Sequence, residues 1–176
     1  LNGHFDKAEE LIGELLRRGA SKVDQAAVYH LKVQLHIVKS ENPQAVDTAL
    51  TCLRLFGIDL PARPSWDDVQ AEYETVWQTL NGRAIESLID LPVMTDPNLR
   101  AAMQVLSVVT PAARYTDFDL WCLLECRMVT LSMQHGMTGP SSIFEGDKGF
   151  MKLVSGSFDL PAFGGNVCLQ RAGDVL

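Results

Sequence analysis

Cysteine thiols are the side chains here most suited to metal binding or nucleophilic chemistry, and their spacing is unfavourable for both. The four cysteines are Cys52, Cys122, Cys126 and Cys168, and no two form a CxxC pair. Cys122 and Cys126 lie four apart and would share a helical face, but two thiolates need further ligands for zinc and no neighbouring His–Cys cluster supplies them. We therefore predict buried thiols rather than metal ligands or a disulfide.

The histidines are also poorly placed to act together. They are His4, His30, His36 and His135. His30 and His36 are six residues apart, which puts them on different sides of a helix, so one metal ion would not be shared. We interpret each as a surface or helix-end residue. His135 precedes Gly136, where an imidazole would complement the negative end of the helix dipole.

Paired carboxylates and tryptophans have structural explanations too. Asp67 and Asp68, like Asp117 and Asp119, fall at predicted helix starts, where negative charge is favoured without any acid–base role. The tryptophans, which would anchor a partner or fill the core, are Trp66, Trp77 and Trp121. At helical spacing, aromatic side chains favour the core.

Sequence motifs of common nucleotide and metal enzymes are missing from the chain. It has no GxxxxGK[ST] loop, no GxGxxG after a strand, no HExxH and none of the kinase landmarks. We predict no catalytic, cofactor-binding or metal-binding residue, and a chain that is not an enzyme by itself.

Charge and hydropathy restrict the partners. The formal net charge is −7, and residues 41–100 carry ten acids against four arginines, a balance of −6. Nucleic-acid binding requires basic surface, so this balance argues against it. No apolar run approaches the roughly 20 residues that a membrane span needs. We expect a cytoplasmic protein that binds no nucleic acid and has no membrane span.

Apolar residues recur at helical spacing through the first 136 residues and predict an all-α fold. The predicted helices cover residues 5–18, 23–39, 43–56, 66–81, 83–90, 97–109 and 117–135. The first apolar stripe consists of Ala8, Leu11, Ile12, Leu15 and Leu16, and the second of Ala27, Leu31, Leu35 and Val38. Residues 117–135 carry two stripes, so this helix should be buried between neighbours.

Helix-start and helix-stop residues support these boundaries. Asn42 before Pro43 predicts an N-cap followed by proline in the first turn, and Asp96 before Pro97 repeats the pattern. Ser65, with Asp68 three residues later, predicts a capping box. Gly57 and Gly136 are expected to end helices.

Seven helices with short connections predict stacked antiparallel pairs, a tetratricopeptide-like α-solenoid. The strict tetratricopeptide consensus is absent. Residues 137–176 hold seven glycines and two prolines without a helical stripe. We therefore predict a helical repeat segment over 1–136, and an irregular glycine-rich tail or a fragment of a second domain over 137–176. Residues 137–140 have the composition of an exposed linker.

Five stretches in order resemble one family of large signalling proteins, predicted ATPases linked to a serine/threonine kinase domain and often to GAF and histidine-kinase domains. They are residues 56–61 (FGIDLP), 72–77 (EYETVW), 80–86 (LNGRAIE), 90–97 (DLPVMTDP) and 128–136 (MVTLSMQHG). The resemblance implies the tetratricopeptide-like region downstream of the ATPase module. It implies a non-catalytic scaffold or regulatory segment of a larger protein, partnered by other domains of that parent or by other proteins.

A shorter stretch over residues 138–159, containing 138–150 (TGPSSIFEGDKGF) and 155–159 (SGSFD), resembles the MmgE/PrpD superfamily. That group includes 2-methylcitrate dehydratase and cis-aconitate decarboxylase. The alternative function that it implies is a fragment of such a lyase, although no substrate-handling residue lies in this stretch. A third hypothesis is an independent peptide-binding repeat domain.

Overall fold

The structure is a computed structural model and describes residues 2–18 and 21–138. Its elements are α1 (Asn2–Arg18), α2 (Lys22–Val38), α3 (Asn42–Leu55), α4 (Trp66–Leu80), a 3₁₀ helix (Ile85–Asp90), α5 (Pro97–Thr116) and α6 (Phe118–His135). The described residues contain no strand beyond one isolated bridge, between Val93 and Met137. The prediction of an all-α fold is confirmed for this part of the chain.

Local capping residues set most of the helix boundaries. Ser65 and Asp68 form the predicted capping box: the Asp68 carboxylate accepts from the Ser65 backbone N–H (2.7 Å), and the Ser65 hydroxyl accepts from the Asp68 N–H (3.3 Å). Asp96 caps α5 by accepting from the Asn98 N–H at 2.8 Å. Gly57 follows α3 with a φ of +76°, as predicted.

The predicted N-cap at Asn42 is wrong. Glu41 is the N-cap residue of α3 and makes no side-chain capping bond, while Asn42 is already helical and Pro43 lies in the first turn. The Glu41 carboxylate is bonded to His36 and Lys39 instead. Contacts with the end of α2 therefore fix where α3 begins, which the Asn–Pro signal did not reveal.

Helix α5 continues seven residues past the predicted end at residue 109. Pro111 lies inside it and lacks the N–H that would bond the carbonyl four residues earlier. Val109, Ala112 and Ala113 are all buried on both sides of the proline. Burial of this face offsets the lost hydrogen bond, because tertiary packing routinely overrides local propensity.

The segment predicted as a helix over 83–90 is a shorter 3₁₀ helix, Ile85–Asp90. It is confined between the left-handed residue Asn81 and Pro92. The Ser87 N–H bonds the Ala84 carbonyl and the Leu91 N–H bonds the Leu88 carbonyl, both three residues back. A short segment bounded by a turn and a proline favours this tighter helix.

Near the start of the chain, α1 begins at Asn2 rather than at residue 5.

Helix α5 lies at the centre of the packing. It packs against α2, α3 and α6; α2 also packs against α3 and α1, and α4 packs against α6. Small side chains on α3 and α5, including Ala49 and Ala102, are fully buried and let the backbones approach closely. Larger buried side chains fill the remaining space, with Leu53, Leu106 and Leu124 among them.

The predicted apolar stripe of α2 does not face the core. Leu31 and Val38 are 50% and 68% exposed, and the buried positions are Ala26 and Val33. Helix α2 contacts α1, α3 and α5. These neighbours cover the side of α2 that carries Ala26 and Val33, which differs from the side that carries the stripe. Over residues 5–18 of α1, Ile12 is the one buried side chain, whereas Leu11 and Leu15 are exposed. The two stripes of α6, in contrast, are mostly buried, as predicted.

The end of α6 is tied to the segment before α5. Met137 N–H donates to the Pro92 carbonyl and Met94 N–H donates to the Met137 carbonyl, both at 2.7 Å. Gly136 has a φ of +94°, and a Cβ there would lie 2.3 Å from the Pro92 oxygen. Met137 is thus held by the fold, which corrects the start of the predicted linker. Residues 2–18 and 21–138 belong to one unit, Leu1–Thr138.

The boundary near residue 136 stays a prediction. The predicted glycine-rich tail, with the rest of the linker and Cys168, lies outside the described residues.

Candidate functional site

The thiols within the described residues are buried structural groups. Cys52, Cys122 and Cys126 are each at most 2% exposed, and none is in a disulfide. Burial raises the pKa of Cys52 to about 12, so this thiol stays protonated at neutral pH and is a poor nucleophile. The prediction of buried thiols is confirmed for these three.

The carboxylate pairs lie at helix starts, as predicted. Asp68 belongs to the capping box of α4, and the hydrogen bonds from Ser65 lower the pKa of its carboxyl group. Asp117 caps α6 by accepting from the Leu120 N–H at 3.0 Å, while Asp119 lies in the first turn. Within residues 2–18 and 21–138, no group of three His, Cys, Asp or Glu side chains is arranged to hold a metal ion.

One charged cluster joins α1, α2 and the start of α3. Glu41 accepts from His36 at 2.8 Å and from Lys39 at 3.0 Å, and Lys39 also pairs with Glu9 of α1. Bonding to His36, then to Lys39, lowers the pKa of Glu41, and bonding to Glu9 raises that of Lys39. Each carboxylate of this cluster has a basic partner. The cluster therefore links α1, the end of α2 and the start of α3. His36 is a helix-end residue, as predicted.

A second charged pair lies inside the contact between α4 and α6. Arg127 donates to Glu72 at 2.8 Å, and the Glu72 residue is 8% exposed. Sequence reasoning missed this pair because the partners are 55 residues apart. A local signal was the acid Glu72, which lies at helical spacing from Val69 and Val76.

Aromatic and arginine side chains gather where α5 turns into α6. We call Arg114, Tyr115, Phe118 and Trp121 the turn patch. The Arg114 guanidinium lies 5.3 Å from the Trp121 ring centroid, in cation–π range, and the Phe118 and Trp121 rings are also 5.3 Å apart. Tyr115 is 81% exposed and Phe118 is exposed as well. The helix over 117–135 was predicted to be buried between neighbours, and Phe118 in its first turn is an exception.

The predicted burial of the tryptophans is also only partly right. Trp66 and Trp121 are half-buried, whereas Trp77 is exposed and packs edge-on against Tyr73 with centroids 6.1 Å apart. Aromatic residues at helical spacing therefore border the core of this protein without filling it. The predicted helix end at residue 109 hid the turn patch, whereas the structure leaves only Asp117 between α5 and α6. A connection this short brings the side chains at both helix ends together.

None of the described helices has both the length and the apolar character needed to cross a membrane. Comparisons with known proteins give no match to a family model, to a curated protein or to a solved structure. The two family resemblances therefore stay hypotheses that depend on the residues quoted for them.

Proposed function

We propose that this chain is a non-catalytic helical-repeat scaffold, a regulatory segment of a multidomain signalling ATPase–kinase. The observation that carries the proposal is the order of helix packing. Helix α2 packs on α3 and α5 packs on α6, while α5 also contacts both helices of the earlier pair. Stacked helical repeats have this pattern, in which each pair contacts only its neighbours. Helix α4 packs against α6 and lies outside this pairing.

The turn patch is the proposed contact surface for another domain of the parent protein. Tryptophan, tyrosine and arginine are the residue types that most often dominate binding energy at protein interfaces. Tyr115 and Phe118 present exposed aromatic surface, and the contacts of Trp121 with Arg114 and Phe118 fix its ring. A fixed aromatic side chain loses little conformational entropy on binding.

A cytoplasmic location belongs to the same proposal, since three buried thiols without a disulfide suit a reducing compartment.

The flanking coding sequence identifies the domains to be tested. If an ATPase or kinase domain is encoded beside this segment, calorimetric titration of that purified domain with the full chain should give saturable binding. Changing Tyr115 and Phe118 together to alanine should weaken binding by about thirtyfold or more, the effect of one hot spot. Glu74→Ala, on the exposed side of α4, is the matched control and should leave binding unchanged.

Three outcomes would oppose this proposal. Binding that is absent, or that is equally strong for the patch variant, would remove the turn patch as the contact surface. Flanking sequence that continues into lyase sequence, with turnover of 2-methylcitrate or cis-aconitate, would favour the MmgE/PrpD alternative instead.

A further inference from the structure

Helix α4 packs against the rest of the molecule through a face that contains a charged residue. Val69, Glu72, Val76 and Leu80 recur at steps of three, four and four, and all four are buried. Three of these positions are aliphatic, as expected of a core-facing stripe. The carboxylate of Glu72 thus occupies a position where an aliphatic side chain would give the stronger contact.

The pairing of Glu72 with Arg127 is incomplete. One hydrogen bond of 2.8 Å joins Arg127 Nη2 to Glu72 Oε2. In the part of the chain that the structure describes, Glu72 Oε1 and Arg127 Nε are both buried without a hydrogen-bond partner. Burial raises the pKa of Glu72 even though Arg127 opposes the shift. The Arg127 side chain is 33% exposed and that of Glu72 is 10% exposed, so the carboxylate is the more desolvated partner. For a desolvated carboxylate the loss of hydration can outweigh the attraction to its partner, and well-packed hydrophobic residues are then often more stabilising.

Helix α4 has fewer principal packing partners than α3. Its principal packing partner is α6, whereas α3 packs on both α2 and α5. The preceding loop, residues 59–64, is anchored by buried Leu60 and Pro64. A left-handed turn at Asn81 and Gly82 follows α4. Displacement of α4 would therefore leave the packing among α2, α3 and α5 intact.

We propose that α4 is a releasable helix: the Glu72–Arg127 pair weakens its docking on α6, so that α4 opens while the other helices stay folded. Opening uncovers the face of α6 that carries Arg127. By helical spacing this face also includes Leu123, Leu124 and Leu131. The inference is independent of the proposed scaffold function, because it concerns only the helices of this chain. Opening of α4 would expose an apolar surface of α6 that is covered while α4 is docked.

Amide hydrogen exchange of the full chain, followed by mass spectrometry, tests the proposal. Amides of α4 should exchange about tenfold or more faster than the buried amides of α3 and α5, because local opening needs less free energy than global unfolding. Changing Glu72→Met together with Arg127→Leu should slow α4 exchange by about tenfold, since the apolar side chains remove the cost of desolvating the Glu72 carboxylate. The control makes the same changes at the exposed pair of α1, Glu10→Met together with Lys7→Leu, and should not alter α4 exchange.

A second variant keeps the test decisive if the double variant fails to fold. Arg127→Met leaves the Glu72 carboxylate buried without its partner and should accelerate α4 exchange about tenfold while α3 exchange is unchanged. The proposal is overturned if α4 and α3 exchange at equal rates in the unmodified chain. It is also overturned if the double variant folds with α4 exchange unchanged, or if Arg127→Met accelerates both helices by the same factor.

Discussion

Helices α3 and α4 have nearly equal lengths, 14 and 15 residues, and both are amphipathic, but they dock differently. Helix α3 buries seven residues, all uncharged, against α2 and α5. Helix α4 buries four, one of which is Glu72, and packs chiefly against α6. The comparison shows that helices of similar length and periodicity can bury different numbers of residues against different neighbours. The number of neighbouring helices and the identity of one buried side chain make the difference.

The largest expected effect tests this difference directly. Leu53→Ala in α3 should lower the free energy of unfolding by about 3 kcal/mol, because a fully buried leucine leaves a cavity. Leu80→Ala in α4 removes an equally buried side chain, yet its cost is limited by the docking energy of α4 and should be about 1 kcal/mol. Urea denaturation measures both values. Equal costs would show that α4 unfolds only with the rest of the molecule.

A smaller effect is expected at the helix ends. Gly136→Ala should cost about 2–3 kcal/mol, because the residue has a positive φ and the new Cβ would press on the Pro92 carbonyl. Gly57→Ala, after α3, also meets a positive φ but has open space around it, so about 1 kcal/mol is expected. Thermal unfolding of the two variants gives the comparison. A cost at Gly136 no larger than at Gly57 would mean that the bridge to Pro92 is dispensable.

The smallest effect concerns pH. Burial raises the pKa of Glu72 above its ordinary value of 4.5, so the folded state favours the protonated carboxyl. The stabilisation that this gives is complete below the unfolded-state pKa and is lost as pH rises through the folded-state pKa. The stability of the unmodified chain relative to Glu72→Gln should therefore fall from pH 4 to pH 7. Denaturation curves at both pH values measure this, and a relative stability that rises instead would contradict the assignment.

Local chemistry in the sequence was sufficient to predict the helices. The Ser65–Asp68 capping box, the Asp96 cap and the ends at Gly57 and Gly136 were all predicted and confirmed, because each depends on residues within a few positions along the chain. Burial of most of α6 was predicted for a similar reason, from its two apolar stripes. An almost wholly apolar helix has no other stable location in water.

Tertiary structure decided which surfaces these helices present to one another. Periodicity grouped Leu31 and Val38 on one face of α2. Because α1, α3 and α5 pack on other parts of the helix surface, this face is exposed. Packing on both sides of Pro111 extended α5 beyond its local stop signal. The Glu72–Arg127 pair joins residues 55 positions apart, and the turn patch depends on the angle between α5 and α6. Periodicity records only which residues share a helix face, whereas contacts between distant residues arise from the packing of whole helices.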